Sequence, residues 1–165
     1  YTQSWYMAYT GMKDHRNSAY DPKDINDVDG PLRASVLGRV ASSRVPLMGD
    51  GRTEVSDDIS IILGRQERGA KALTDGPIDL GFWSFQDWSD FGPAHGNGGT
   101  VSDGGHNKLR CNLVFADGHV NNFTDTNRDG QFSYRISSSG GEFGIQYDEL
   151  HEDEIFSGWL NQRGP

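Results

Sequence analysis

The sequence predicts an α+β domain built mainly on an antiparallel β-sheet, rich in loops and with little helix. Three observations carry this expectation. Residues 109–136 alternate apolar and polar side chains around turn-forming dipeptides, glycine occupies 22 positions, and only short stretches keep a helical spacing.

The 165 residues suit one domain spanning 1–165, since single domains commonly run to about 100–200 residues. Hydrophobic residues make up 34%, below the roughly 45–50% of an average domain, a figure that counts glycine too. The glycines close that gap, so the chain reads as globular but thinly cored. Its eight Phe, six Tyr and four Trp must supply much of the burial, each covering about 150–250 Å² when buried.

Residues 1–30 mix aromatic and polar side chains, with turn signals at Asp21-Pro22 and Asp29-Gly30. Leu32, Val36 and Val40 give a short helical pattern after Pro31, weakened by Gly38. Arg44-Val45-Pro46-Leu47-Met48 reads as an edge strand, because Pro46 cannot donate to a ladder, and Gly49-Asp50-Gly51 ends it. Ile59-Ser60-Ile61-Ile62-Leu63 has strand length and β-branching. Residues 64–106 form a Gly/Asp/Ser-rich insertion holding Trp83, Phe85, Trp88 and Phe91. A structureless loop of that length is unusual in a compact domain, so its aromatics are expected to pack it down as a miniature core.

The clearest local signal follows. Leu109, Cys111, Leu113 and Phe115 alternate with polar or smaller residues, as in a strand with one buried face. Asp117-Gly118 then predicts a two-residue type I′ turn. That turn sets Phe115 opposite Val120 on the core face. Phe132, Tyr134 and Ile136 alternate again, which predicts a third strand and a three-stranded meander. Tyr147 to Leu160 has the spacing of a final helix. Tyr147, Leu150, Ile155 and Trp159 share a face, and Asp148, Glu149, Glu152 and Asp153 lie toward its N-terminal end.

The formal net charge of −9 and pI of about 4.8 argue against nucleic-acid binding, which needs Lys/Arg clusters. They also disfavour docking on anionic lipid. Cys111 is the one cysteine, so no intrachain disulfide forms. A secreted domain of this kind needs another staple, and calcium is a common one. No apolar run approaches the ~18 residues of a membrane span. The chain begins at Tyr1 without Met or a targeting segment, which suggests a processed or trimmed piece lacking an N-terminal part.

The stretch from His106 through Asn112, Phe115, Asp117, Gly118 and His119 to Val120 resembles the C-terminal signature of a family of prepilin-type proteins. That signature runs His, nine residues, Asp-Gly, with an Asn, a Phe and a following His-Val. Here ten residues separate His106 from Asp117, an insertion of one before Asn112. Ser43-Arg44-Val45-Pro46-Leu47-Met48-Gly49-Asp50 resembles the family's upstream strand, and Ser4-Trp5-Tyr6-Met7 more weakly its N-terminal segment. The resemblance implies a pilin-like head domain whose sheet packs on an apolar N-terminal helix. That helix is absent from this sequence, so it would be cleaved, trimmed or supplied by a separate helical pilin chain. It also implies an extracellular or cell-surface structural subunit, of a pilus or of the pseudopilus of type II secretion, assembling with identical subunits. Read without the family, Asp117 and Gly118 are turn formers, with Asn112, His106 and His119 as hydrogen-bonding partners. The alternatives are a metal site using His106, Asp117 or His119, or a catalytic His/Asp pair. No Ser or Cys sits in a nucleophile motif.

Asp125-Thr126-Asn127-Arg128-Asp129-Gly130-Gln131-Phe132-Ser133 matches the first half of a calcium loop. Asp125, Asn127 and Asp129 would give side-chain oxygens, Gln131 its carbonyl and Ser133 its hydroxyl. The twelfth position is Ile136, where an EF-hand has Glu, and the flanks read as strands, which excludes an EF-hand. Asp148, Glu149, Glu152 or Asp153 would complete the site. Without metal, the same residues make an Asx-rich turn.

Asp50, Asp57 and Asp58 suggest a second cation site or a solvated acidic face. Trp83, Trp88 and Phe91 suggest a sugar-stacking platform, and with it a calcium-dependent carbohydrate-binding module as the second functional expectation. Asn122-Phe123-Thr124 fits a glycosylation pattern but falls in a predicted strand.

Overall fold

The computed structural model describes residues 1–12, 28–52, 61–62, 65–66, 71–74, 78–79, 84–86, 88–96, 108–128, 130, 132, 134–139, 142–147, 149–151, 153–158 and 160. In chain order the strands are β1 (Thr2–Gln3), β2 (Gly11–Met12), β3 (Val28–Asp29), β4 (Pro46–Gly49), β5 (Ile61–Ile62) and β6 (Arg65–Gln66). They continue with β7 (Ile78–Asp79), β8 (Ser84–Phe85), β9 (Arg110–Phe115), β10 (Val120–Thr124), β11 (Tyr134–Ser139) and β12 (Glu142–Tyr147). Helix among the described residues amounts to α1 (Ala34–Leu37) and two 3₁₀ turns, Trp5–Met7 and Ser42–Arg44. A loop-rich, mainly antiparallel architecture with little helix is thus observed.

The organising element is a four-stranded antiparallel sheet in the order β1-β4-β9-β10. The alternation read from the sequence sets its inner face, for Cys111, Leu113 and Phe115 on β9 are fully buried. Phe123 on β10, opposite Cys111, joins them. Against this face pack Trp5, Tyr6, Val45, Trp88, Phe91, Phe132, Leu150, Ile155 and Leu160. Among the described residues, more than half of the buried apolar ones are aromatic, in keeping with the composition. Tyr6, Trp88 and Phe91 form one run of ring contacts, and Phe115, Phe123 and Phe132 another. Trp88 and Phe91 therefore belong to the core of the sheet and do not form a separate miniature core.

Four local expectations are corrected. The β9–β10 connection is a three-residue loop, Ala116–Gly118, in place of a two-residue type I′ turn. Phe115 accepts from Gly118 N–H at 2.9 Å and donates to His119 O at 3.0 Å. Gly118 alone takes a left-handed φ, of +89°, as in a type I turn followed by a bulge. The longer loop shifts the register. Val120 pairs with Val114, on the face opposite Phe115, and is 60% exposed.

The segment expected at an edge, β4, lies inside the sheet between β1 and β9. Pro46 is accommodated because it begins the strand, where the register with β9 shifts between Pro46 and Met48. The third strand of the expected meander leaves this sheet. Phe132 N–H donates to Phe91 O at 3.1 Å and its ring is buried, after which β11 pairs with β12 as a separate hairpin. The expected helix from Tyr147 is not formed among the described residues. Tyr147 ends β12, and Leu150, Ile155 and Leu160 reach the core through turns. Tyr6 fixes that segment, its hydroxyl bonding Phe156 O at 3.1 Å and Gly158 O at 2.5 Å.

The far edge of the sheet is closed by the chain itself. Gln3 N–H donates to Ala72 O at 2.9 Å, and Thr74 N–H to Gln3 O at 2.8 Å. Thr74 Oγ1 accepts from Trp5 N–H at 2.8 Å. Ile61 and Ile62 form β5 as expected, paired with β6, whereas Ile59, Ser60 and Leu63 lie outside the described residues. The helical pattern after Pro31 yields the single turn of α1, ended at Gly38.

Candidate functional site

The residues that resemble the prepilin signature meet at two places on the β9–β10 hairpin. At its tip, Asp117 Oδ1 accepts from the backbone N–H of His119 at 3.1 Å and lies 2.6 Å from His119 Nδ1. The His119 ring stacks on Phe115, centroids 4.5 Å apart and planes 4° from parallel. The hydrogen bond from the His119 side chain, with that from its backbone, holds the Asp117 carboxyl below the usual aspartate range. Asp117 shapes the turn and orients His119. His106 lies outside the described residues.

The second place joins three chain segments around Asp50, which is 3% exposed at the end of β4. Asp50 Oδ2 accepts from Asn112 N–H at 2.8 Å and from Asn112 Nδ2 at 3.3 Å. His95 Nε2 lies 3.2 Å from both Asp50 carboxylate oxygens. Asn112 passes the connection outward, its Oδ1 accepting from Asn122 Nδ2 at 2.8 Å. Asp50 is therefore committed to linking β4, β9 and the segment at His95. Of the suggested second cation site, Asp57 and Asp58 lie outside the described residues. Sequence reasoning missed His95, which no spacing connects to Asp50. The available signal was Asp50 itself, an acid closing an apolar strand and thus needing a partner.

Cys111 stands beside this group, with Sγ 3.7 Å from Asp50 O. A Cys, a His and an Asp close together invite comparison with nucleophilic catalysis, but the thiol faces the core and is fully buried. Burial, and then the Asp50 charge, push its pKa far above the ordinary range. A thiol so held supplies no thiolate.

The calcium-like loop folds around Asp125, which is 2% exposed. Its Oδ1 accepts from Arg128 N–H at 2.6 Å and its Oδ2 from Gly130 N–H at 2.9 Å. Left-handed φ values at Arg128 (+63°) and Gly130 (+84°) curl the backbone toward the carboxylate. Asn127 is exposed, and Asp129, Gln131 and Ser133 lie outside the described residues. Among the described residues, which do not include Asp129, no group of three or more His, Cys, Asp or Glu could hold a metal. The backbone bonds alone make a self-sufficient Asx turn. Both Asp125 oxygens are engaged by the loop's own backbone, so the described residues account for the turn without an ion.

Trp88 is fully buried, which removes it from any sugar-stacking platform, and Trp83 lies outside the described residues. A polar groove of about 380 Å³, with Thr10, Asp29, Arg33 and Arg39 in its walls, was not signalled by any motif. No helix among the described residues is long and apolar enough to cross a membrane. Comparison with known proteins finds no family model, no curated protein and no solved structure that matches the chain.

Proposed function

We propose that this chain is the pilin-like head of a structural, non-enzymatic subunit of an extracellular pilus, pseudopilus or other surface filament. One observation carries the reading. The segment Asn112–Val120, which resembles the prepilin signature, spends its polar residues on shape. Asp117 and Gly118 make the turn, and Asn112 ties the hairpin to Asp50. Cys111, His95 and Asp50 likewise serve packing and strand linkage. Polymerisation would come from an apolar helix, carried by the same precursor or by a separate small pilin chain. The head would give lateral contacts to identical subunits and an acidic outer surface at the cell exterior.

Within this reading calcium stabilises the loop through Asp125, Asn127, Asp129, Gln131 and Ser133 and stiffens the exit of β10. Calcium at a hundred times its Kd would add about 2.7 kcal/mol of stability. EDTA should lower the melting temperature and millimolar calcium restore it, with Asp125→Asn insensitive to both. Equal melting with and without calcium removes the ion from the proposal. The filament itself is tested by reading the gene upstream of Tyr1 and by immunogold labelling of cells. A prepilin signal, or a neighbouring frame encoding only an apolar helix, is expected, with label along filaments. A diffuse periplasmic or cytosolic label overturns the reading.

A further inference from the structure

The two edges of the main sheet differ. The β1 edge is covered by residues 72–74, whereas β10 ends the sheet and, among the described residues, nothing pairs with its outer side. Phe115 N–H donates to His119 O and Asp125 N–H to Leu109 O, so the odd-numbered residues of β10 turn their backbone toward β9. By the alternation of an antiparallel ladder, Val120, Asn122 and Thr124 direct theirs outward. Among the described residues no hydrogen bond reaches those outward groups, and Val120, Asn121, Asn122 and Thr124 are all exposed. Edges of this kind are normally blunted by charge, proline or a bulge. Val120-Asn121-Asn122-Phe123-Thr124 has neither charge nor proline, and its pairing with β9 runs without a break in register.

We propose that a second copy of this chain adds its β10 antiparallel to this one, about a two-fold axis at Asn122. The strand is self-complementary in that register. Val120 meets Thr124 of the second copy, Asn122 meets Asn122, and each pair exchanges both bonds of the ladder. Two β-branched side chains pack at each end, and no like charges meet. Val120 also closes a row with Val114 and Met48 across the sheet, which the added strand extends. The net charge of −9 opposes any association, but at physiological ionic strength its reach shrinks to about 8 Å. The pairing does not depend on the filament reading.

Sedimentation of the whole chain across concentration tests it. The wild type should pass reversibly from monomer to dimer. Asn122→Pro removes an N–H that only the second copy uses, and Asn122→Lys sets two ammonium groups face to face. Each should weaken dimerisation more than about tenfold while the circular dichroism of the monomer stays that of the folded wild type. Both lose the Asn122–Asn112 side-chain bond, so their monomers melt lower. Asn122→Thr, which loses the same bond but keeps the N–H, should still dimerise. Ser35→Lys, which adds the same charge on α1, should dimerise as the wild type does. A wild type that remains monomeric to about 1 mM, a Kd that would represent only some 4 kcal/mol, overturns the pairing. So does a dimer that Asn122→Pro and Asn122→Lys leave intact. Failure here leaves an upstream prepilin signal untouched, and a missing signal leaves the dimer untouched, so the two proposals fall separately.

Discussion

Asp50 is the residue on which most of the candidate site converges. Replacing it by Ala strands the Asn112 N–H and removes the acceptor facing His95. A buried donor left without its partner costs about 1–3 kcal/mol, so Asp50→Ala should lower the unfolding free energy by about 2–3 kcal/mol in a urea titration. One residue earlier, Gly49 allows β4 to lie against β9. A Cβ there would collide with the Leu113 side chain and come within 2.9 Å of Asn112 O. Gly49→Ala should therefore destabilise by about 1–3 kcal/mol, the range for overpacking, measured the same way. Asp117 offers a test by pH. Its carboxyl is held below the usual range by His119, so its contribution is present above the ordinary aspartate pKa. It is lost as the pH falls through the lower folded value. Acidifying below about pH 4 should cost the wild type more of its melting temperature than Asp117→Asn.

At the scale of the element, the β9–β10 hairpin separates what the sequence made legible from what it did not. The inward set Cys111, Leu113 and Phe115 could be read directly, because a period of two leaves only two faces to choose between. The loop could not, since Asp-Gly serves a two-residue turn and the end of a three-residue one equally well. The choice fell with the Asp117–His119 bonds and moved Val120 to the opposite face. Gly118 holds the left-handed position, so Gly118→Val should cost about 1–2 kcal/mol. Val120→Thr, at an exposed site, should change the monomer by less than about 0.5 kcal/mol. Comparing the two by chemical denaturation checks the register. The Asp125 loop was legible as a turn because Asp and Gly at fixed offsets signal local bonding. Asp50 with Asn112 and His95 was not, since its parts are distant in sequence and only packing unites them.

For the whole molecule, long-range tethers stand in for disulfides, which a single cysteine cannot form, and for long helices, of which the described residues hold none. Tyr6, near the start, holds Phe156 and Gly158 near the end. Phe156 N–H in turn donates to Arg44 O at 2.7 Å. Aromatic packing in the interior was foreseeable from the composition, but its route through Trp88 and Phe91 was not, because no periodicity marks a residue in an irregular segment. The final stretch was misread as a helix because its apolar residues reach the core through turns that imitate helical spacing.

One feature of the interior also sets what a chemist can observe from outside. Cys111 is the lone sulfhydryl of the chain and is sealed beneath the sheet. An alkylating reagent reaches it only when β9 parts from its neighbours. The rate of labelling therefore counts those openings, giving a clock for the breathing of this sheet that needs no engineered probe.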